Sequence, residues 1–249
     1  MSGKGEGVGC LVFLPTYNES ENIIPLLERL TEVKGIDILV VDDSSPDNTA
    51  GIVAEFASSN RRVKLIVRKG RRGRGRAGMA AYKFFLKHEY RLFVEMDADF
   101  SHDPGYVPVI IEHLKKHDVV VGSRMVKGGK DCERGLCRRL LSITANRMTR
   151  VLLGLPVRDC NSGFRGFRRA VIEGLAEDCF SGISSASQPI IQETMLKVFS
   201  KGFKIKEIPI EFRQRREGVS KLRPEHLFIG FFAILKLWLA RHGFAERKK

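Results

Sequence analysis

Leu92-Phe93-Val94-Glu95-Met96-Asp97-Ala98-Asp99 is an apolar run that ends in two carboxylates spaced i, i+2. A short apolar run closed by a polar break reads as a buried strand whose carboxyl end lies at Asp97. Two carboxylates left unpaired there would be costly to desolvate. A divalent cation offsets that cost, because hard cations such as Mg2+ or Mn2+ take oxygen ligands and keep positions open for substrate phosphates. A second strand, Ile38-Leu39-Val40-Val41-Asp42-Asp43, ends in the same way. Two such strands point to one crevice that reads a nucleotide and holds its diphosphate through metal. The alternative is that these aspartates only cap loops or helices.

Outward from this pair the chain alternates. Strands are expected at 9–14, 36–42, 63–67, 91–97 and 118–122, with helices at 20–32, 48–58, 77–88 and 104–116 between them. Continuous apolar strands separated by amphipathic helices predict an α/β, Rossmann-like, mostly parallel sheet with helices on both faces. Ligands of such sheets bind beyond the carboxyl ends of the strands, the side on which Asp43, Asp97 and Asp99 fall. The second half is less regular. It offers a basic and apolar helix at 136–153, a helix at 188–200, a strand at 204–212 and an apolar helix at 225–241. The change in composition near residue 130 marks an appendage to the same domain.

A chain of 249 residues with 43% hydrophobic content can bury a sizeable core, which excludes a disordered chain. Its net charge of +14 favours polyanions: nucleic acid, an anionic membrane surface or phosphorylated substrates. Five cysteines at 10, 132, 137, 160 and 179 have no metal-ligand spacing, so neither a disulfide nor a zinc site is expected. The N-terminus carries no secretory signal pattern. The longest apolar stretch, Leu227 to Ala240, contains Lys236 and is shorter than the ~20 residues a helix needs to cross a bilayer. Membrane contact is therefore expected at the surface, without a span.

Leu14-Pro15-Thr16-Tyr17-Asn18-Glu19 ends the first strand in a polar turn, where Tyr17 can pack on a nucleoside and Glu19 can reach base or ribose. Together with Val41 to Thr49 and Met96 to His102, this turn resembles the dolichol-phosphate mannosyltransferases, which are family 2 inverting glycosyltransferases with the glycosyltransferase A fold. The resemblance continues through Gly122-Ser123-Arg124, Arg138 to Ser142, Asn161 to Arg165, Glu207 to Ile210 and Arg215 to Leu222. It implies that Pro15, Tyr17, Glu19, Val41 and Asp43 hold the nucleoside of a nucleotide sugar, most simply GDP-mannose. It further implies that Asp97 and Asp99, with Ser101 and the Ala98 backbone, hold Mg2+ or Mn2+ and the diphosphate. Ser101 stands where some relatives place Gln. Arg124, Arg215 and Lys221 would gather round phosphates, and Asp99 and Arg124 would be the catalytic pair. Arg124, Arg138 and Ser142 would meet a polyprenyl or dolichyl phosphate, Arg138 and Ser142 being one helical turn apart. A catalytic domain over 1–224 is expected, with a nucleotide-sugar half near 9–125 and an acceptor half near 126–224. The helix at 225–249 would face a membrane or a small membrane subunit.

These roles are chemically coherent. Charge growing on a departing nucleoside diphosphate is stabilised by a cation and by arginines. The acceptor phosphate is already anionic and needs no protein base, so direct displacement inverts the sugar. The run Arg68 to Arg76, six basic residues and three glycines, departs from the family pattern. It can contact donor phosphate beside a helix start, bind RNA, or stand as a solvated loop. Ser187-Gln188-Pro189, before Gln192 to Met195, is a second departure, on the acceptor or sugar side. His102, His113 and His117 are expected as loop or helix-surface residues. The rival readings keep the chemistry with another donor such as UDP-glucose, take a soluble acceptor, or retain only RNA binding on a transferase fold. Intact Asp97, Asp99 and Arg124 argue against the last, and nucleic acid is not expected as a partner. The site is expected at the cytoplasmic face of a membrane.

Overall fold

The computed structural model describes residues 9–132, 136–182 and 190–213, together with Phe232, Ile234, Leu235, Trp238 and Leu239; within these ranges the side chains of 136–138, 177–182 and 190 are not described. In chain order the elements begin β1 (Cys10–Thr16), α1 (Ser20–Thr31), β2 (Ile36–Asp42), α2 (Thr49–Ser59), β3 (Val63–Val67), α3 (Arg74–Leu86) and β4 (Leu92–Glu95). A 3-10 turn (Pro104–Tyr106), α4 (Val107–Leu114), β5 (Val119–Ser123), β6 (Lys130–Asp131) and α5 (Leu136–Leu153) follow. The series closes with β7 (Arg165–Arg168), α6 (Arg169–Gly182), α7 (Ile190–Ser200), β8 (Ile205–Pro209) and β9 (Glu211–Phe212).

Seven strands form one sheet in the order β3-β2-β1-β4-β7-β5-β8. All its pairings are parallel except those of β7, which runs antiparallel between β4 and β5. The period of two along each strand sorts the core onto two faces. Leu11, Phe13, Leu39, Val41 and Phe93 pack with Ala81 and Phe85 of α3, Ile172 of α6 and Val198 of α7. Val12, Leu14, Ile38, Val40 and Val94 pack with Leu26 and Leu30 of α1, Val53 of α2 and Ile110 of α4. This is the expected α/β architecture, mostly parallel and covered on both sides.

The larger departures lie in the second half. The sequence reading names no strand at 165–168 and no helix at 169–182, where the structure has β7 and α6. Arg165 is 1% exposed, its guanidinium paired with Glu95 of β4 and donating to the Ile191 carbonyl at 3.0 Å. A buried ion pair of this kind lets a charged residue occupy a central strand. A Cβ on Gly166 would lie 2.4 Å from Ile110 Cγ2, so glycine is what lets α4 pack directly on β7. The expected strand at 204–212 divides after Pro209: β8 stays in the main sheet and β9 pairs with β6 in a second, two-stranded sheet. α3 starts at Arg74, three residues before the expected 77, which draws the end of the basic run into its first turn.

Candidate active site

β1 lies between β2 and β4, so the acidic ends of those two strands flank the turn that leaves β1. Three turns at this edge contain a residue in the left-handed region: Asn18 (φ 56°), Ser44 (φ 54°) and Phe100 (φ 61°). For a side chain as large as Phe that conformation is uncommon and marks a turn held by its surroundings.

The first acidic pair divides its work. Asp42 is fully buried and accepts from the Thr16 hydroxyl (2.9 Å) and the Ser45 amide (2.9 Å), which ties the ends of β1 and β2 together. Asp43 accepts from the Gly73 amide (2.7 Å) and forms an ion pair with Arg68. The guanidinium of Arg72 lies 4.3 Å from the centre of the Tyr17 ring and donates to its hydroxyl. The basic run therefore folds over the predicted nucleoside residues, and at Arg68 and Arg74 it is not a solvated loop. Glu19 stands at the start of α1; its amide donates to Thr49 Oγ1 (3.0 Å) and its Oε2 accepts from Asn22 (3.0 Å). Pro15 is half-buried in β1, whereas the Val41 side chain lies wholly in the core. Asp47 joins two helix starts, accepting from the amides of Ser20 (3.0 Å) and Thr49 (3.1 Å). Although burial pushes its pKa up, these bonds and that from the Thr49 hydroxyl hold it below the usual carboxylate range.

At the second acidic end, the Asp97 amide donates to His102 Nδ1 at 3.0 Å. His102 is 1% exposed, stacks 5.0 Å from Phe164 and meets Phe212 edge-on at 5.3 Å. Burial lowers its pKa against the opposing pull of Asp97 and Asp99, which agrees with a neutral ring whose Nδ1 accepts. His102 is thus a loop residue, as expected, but a buried one that braces the acid turn. Asp99 is 3% exposed, and its Oδ1 accepts from the Ser101 amide (3.1 Å) and hydroxyl (2.6 Å). Ala98 is buried between the two acids. The Asp97 carboxylate forms an ion pair with Arg74, whose Nη2 donates to the Gly163 carbonyl at 3.0 Å. Burial disfavours the Arg74 charge, but Asp97 and Glu95 more than offset it. No sequence signal singled Arg74 out from the other arginines of its run.

Arg124 follows β5 and is held bidentately by Asp159, Nε to Oδ2 and Nη2 to Oδ1, each at 2.7 Å, with its amide 3.0 Å from Oδ2. Burial alone would lower its pKa; the Asp159 bonds and charge raise it. Asp159 is in turn fixed through its amide on Glu207 (3.0 Å). This partner of Arg124 was not legible in the sequence. The Arg213 amide donates to the Ser101 carbonyl (3.2 Å), so the end of β9 lies beside the acid turn. Arg215 and Lys221 themselves, like Ser187 to Pro189 and most of 225–241, lie outside the described residues.

Ser142 sits half-buried on α5, its carbonyl accepting from Asn146 (3.1 Å), while Asn146 Oδ1 accepts from the Asn161 amide (3.1 Å). The bonds from Asn161 to Asn146 dock α5 on the loop before β7. Arg138 lies on the same helix, its side chain outside the described part. The outer face exposes Leu140 (63%), Leu141, Ile143 and Val151 (73%) beside Arg139, Arg147 and Arg150. Among the described residues no helix is long and apolar enough to cross a membrane.

Among the described residues no group of three or more His, Cys, Asp or Glu is arranged to hold a metal ion. The turn supplies two carboxylates, Asp97 and Asp99, with the Ser101 hydroxyl on Asp99. One or two carboxylates completed by substrate phosphates is the usual Mg2+ arrangement, so this oxygen-only donor set fits a cation that arrives with a nucleotide.

A family model described as glycosyl transferase family 2 matches residues 11–175. The chain is 34% identical over 227 residues to a polyprenol monophosphomannose synthase of Mycolicibacterium smegmatis, covering 90% of this chain and 84% of that one. It is 34% identical over 213 residues to an undecaprenyl-phosphate mannosyltransferase of Micrococcus luteus, covering 85% and 86% respectively. Among solved structures, a Pyrobaculum calidifontis mannosyltransferase in complex with GDP-Man and Mn2+ superposes with a TM-score of 0.61 at 18% identity, covering 91% of this chain and 64% of that one. That last likeness shows the glycosyltransferase A fold.

Proposed function

The chain belongs to glycosyl transferase family 2, among the polyprenyl-phosphate mannosyltransferases, and on that premise we propose that it transfers mannose from GDP-mannose to a polyprenyl or dolichyl phosphate with inversion. The observation that carries the reading is the likeness to two such enzymes along more than four-fifths of their length. The acidic turn at the carboxyl end of β4 supports it, and so does the GDP-Man and Mn2+ complex of the Pyrobaculum neighbour.

In this reading Asp97 and Asp99 hold Mg2+ or Mn2+, and Ser101 keeps the Asp99 carboxylate in place. A bound cation supplies charge stabilisation to the departing nucleoside diphosphate. Pro15, Tyr17, Glu19 and Asp43 form the nucleoside side, where Val41, its side chain in the core, has only its backbone to offer, with the Ala98 backbone beside the diphosphate. Arg124, Arg215 and Lys221 neutralise phosphate, and Asp159 keeps the Arg124 fork in one orientation, as bidentate recognition needs. Arg138 and Ser142 receive the acceptor phosphate, whose own oxygen attacks the anomeric carbon. No residue is assigned as a base because that oxygen is already ionised.

The outer face of α5 suits the membrane interface, where arginines beside Leu and Ile contribute about 1 kcal/mol per basic residue near anionic lipid. We place the enzyme at the cytoplasmic face, with 1–224 as the catalytic domain. In the following segment Ile234 joins the core cluster and Trp238 packs against it, whereas Phe232 is 63% exposed, which favours a segment that serves both the protein and a membrane or partner.

The test is to incubate purified protein with a panel of radiolabelled nucleotide sugars and polyprenyl phosphate, with and without EDTA. The expected result is one lipid-linked sugar monophosphate, made from GDP-mannose and lost on chelation. A product from UDP-glucose would change the donor; no lipid-linked product from any donor would overturn the reading.

A further inference from the structure

Arg74, in the basic run, is seated on the acid turn and held there from two sides. Its Nη1 pairs with Asp97 Oδ1, and its Nη2 donates to the Gly163 carbonyl at 3.0 Å. The seat is shaped for it: a Cβ on Gly163 would lie 2.6 Å from Nη2 and 3.0 Å from Cζ. Glycine at 163 is thus what lets a guanidinium lie between the end of β4 and the loop before β7. The pair remains partly open to water, with side-chain exposures of 27% for Arg74 and 31% for Asp97. Contrast Arg124 and Asp159, at 7% and 0%, joined by a closed fork. A fork of that kind is permanent; a partly exposed pair on a carboxylate can exchange partners.

We infer that Arg74 is a resident counter-cation of Asp97, which holds the acid turn while the donor is away and makes metal binding conditional on the nucleotide diphosphate. The inference rests on the metal and donor reading above. Guanidinium and divalent cation compete for one carboxylate and repel each other across it. A nucleotide diphosphate removes the conflict, because its phosphate oxygens accept from the displaced Arg74 while completing the cation's ligands. Charge is then matched both before and after binding. By linkage, the enhancement of metal affinity by nucleotide equals that of nucleotide affinity by metal.

The experiment measures Mn2+ binding by electron paramagnetic resonance, with and without GDP, for the full chain and for Arg74→Gln and Gly163→Ala. Arg74→Gln is expected to bind Mn2+ about tenfold more tightly without GDP, as expected when a cation leaves a shared carboxylate. GDP should then raise its Mn2+ affinity by a smaller factor than in the parent. Gly163→Ala keeps the charge but crowds its seat, and should move both quantities the same way by less. It also carries the test if Arg74→Gln does not fold. If GDP enhances Mn2+ binding in the parent but neither variant binds Mn2+ more tightly alone, the counter-cation role falls and the metal reading stands. If the parent retains no Mn2+ even with GDP, both fall.

Discussion

The donor edge, at the ends of β1, β2 and β4, and the outer face of α5 are built on opposite principles. At the edge, polar groups are already organised by one another: Asp42 by Thr16 and Ser45, Asp43 by Arg68 and Gly73, Asp99 by Ser101, and the Asp97 amide by His102. On α5, Leu140, Leu141, Ile143 and Val151 stand exposed among arginines, while the inner face is tied down through Asn146. A soluble, highly charged donor calls for preorganised dipoles in a partly dry crevice. An acceptor that stays in a bilayer instead calls for a surface that tolerates apolar contact and attracts anionic headgroups. If the proposed assignments hold, one fold meets its two substrates through two different kinds of surface.

Removing a carboxylate from the edge breaks the comparison most severely. Asp99→Ala is expected to lower turnover by about a thousandfold, the upper range for losing a preorganised electrostatic group, with a melting transition close to that of the parent. Turnover by radiolabel transfer, read beside a thermal melt, checks both halves. Next comes Asp159→Asn, which leaves the Arg124 charge buried beside a neutral amide. Breaking such a pair costs about 3–5 kcal/mol, so denaturant unfolding should show a large loss of stability together with weakened donor binding. If stability alone fell, Arg124 would be structural.

The α5 face is tested by Leu140→Ser with Val151→Ser. Both sites are exposed, so the melt should be almost unmoved. Flotation on anionic vesicles should fall severalfold, about 1 kcal/mol for the apolar area no longer covered by lipid. Equal flotation of parent and variant would remove the interfacial role. The smallest effect concerns Asp47, which ties the edge to α1 and α2. Asp47→Ala should cost about 1–2 kcal/mol, as for a lost helix cap. Because the folded-state pKa of Asp47 lies below its unfolded value, its contribution is complete above the ordinary carboxylate range and is lost as pH falls through the folded value. Melts of parent and variant should therefore converge in acid and diverge towards neutral pH.

The first half of the fold was legible because its information is local. Each parallel strand is a continuous apolar run, each helix repeats at its own period, and the acids fall where the runs stop. The second half was harder for a reason visible in β7. Its burial depends on Arg165 meeting Glu95, 70 residues away, and no window of sequence around Arg165 records that meeting. The candidate site divides in the same way. Asp43, Asp97 and Asp99 stood out by position after apolar runs and Arg124 through the family resemblance, whereas His102 and Arg74 did not stand out, because a histidine after a turn and an arginine among arginines carry no distinguishing local pattern.

Sequence alone therefore determined the alternation of strands and helices, the edge of the sheet at which the acids gather, and the acids that terminate β2 and β4. Apolar periodicity and strand-end polarity are properties of neighbouring residues, and the chain order preserves them. Only the tertiary structure decided which charge meets which: Arg124 with Asp159 across 35 residues, Arg74 with Asp97 across 23, and an antiparallel β7 inside a parallel sheet. Ion pairs and strand neighbours are selected by distance in space and by the cost of desolvation. Neither quantity exists until the chain has folded.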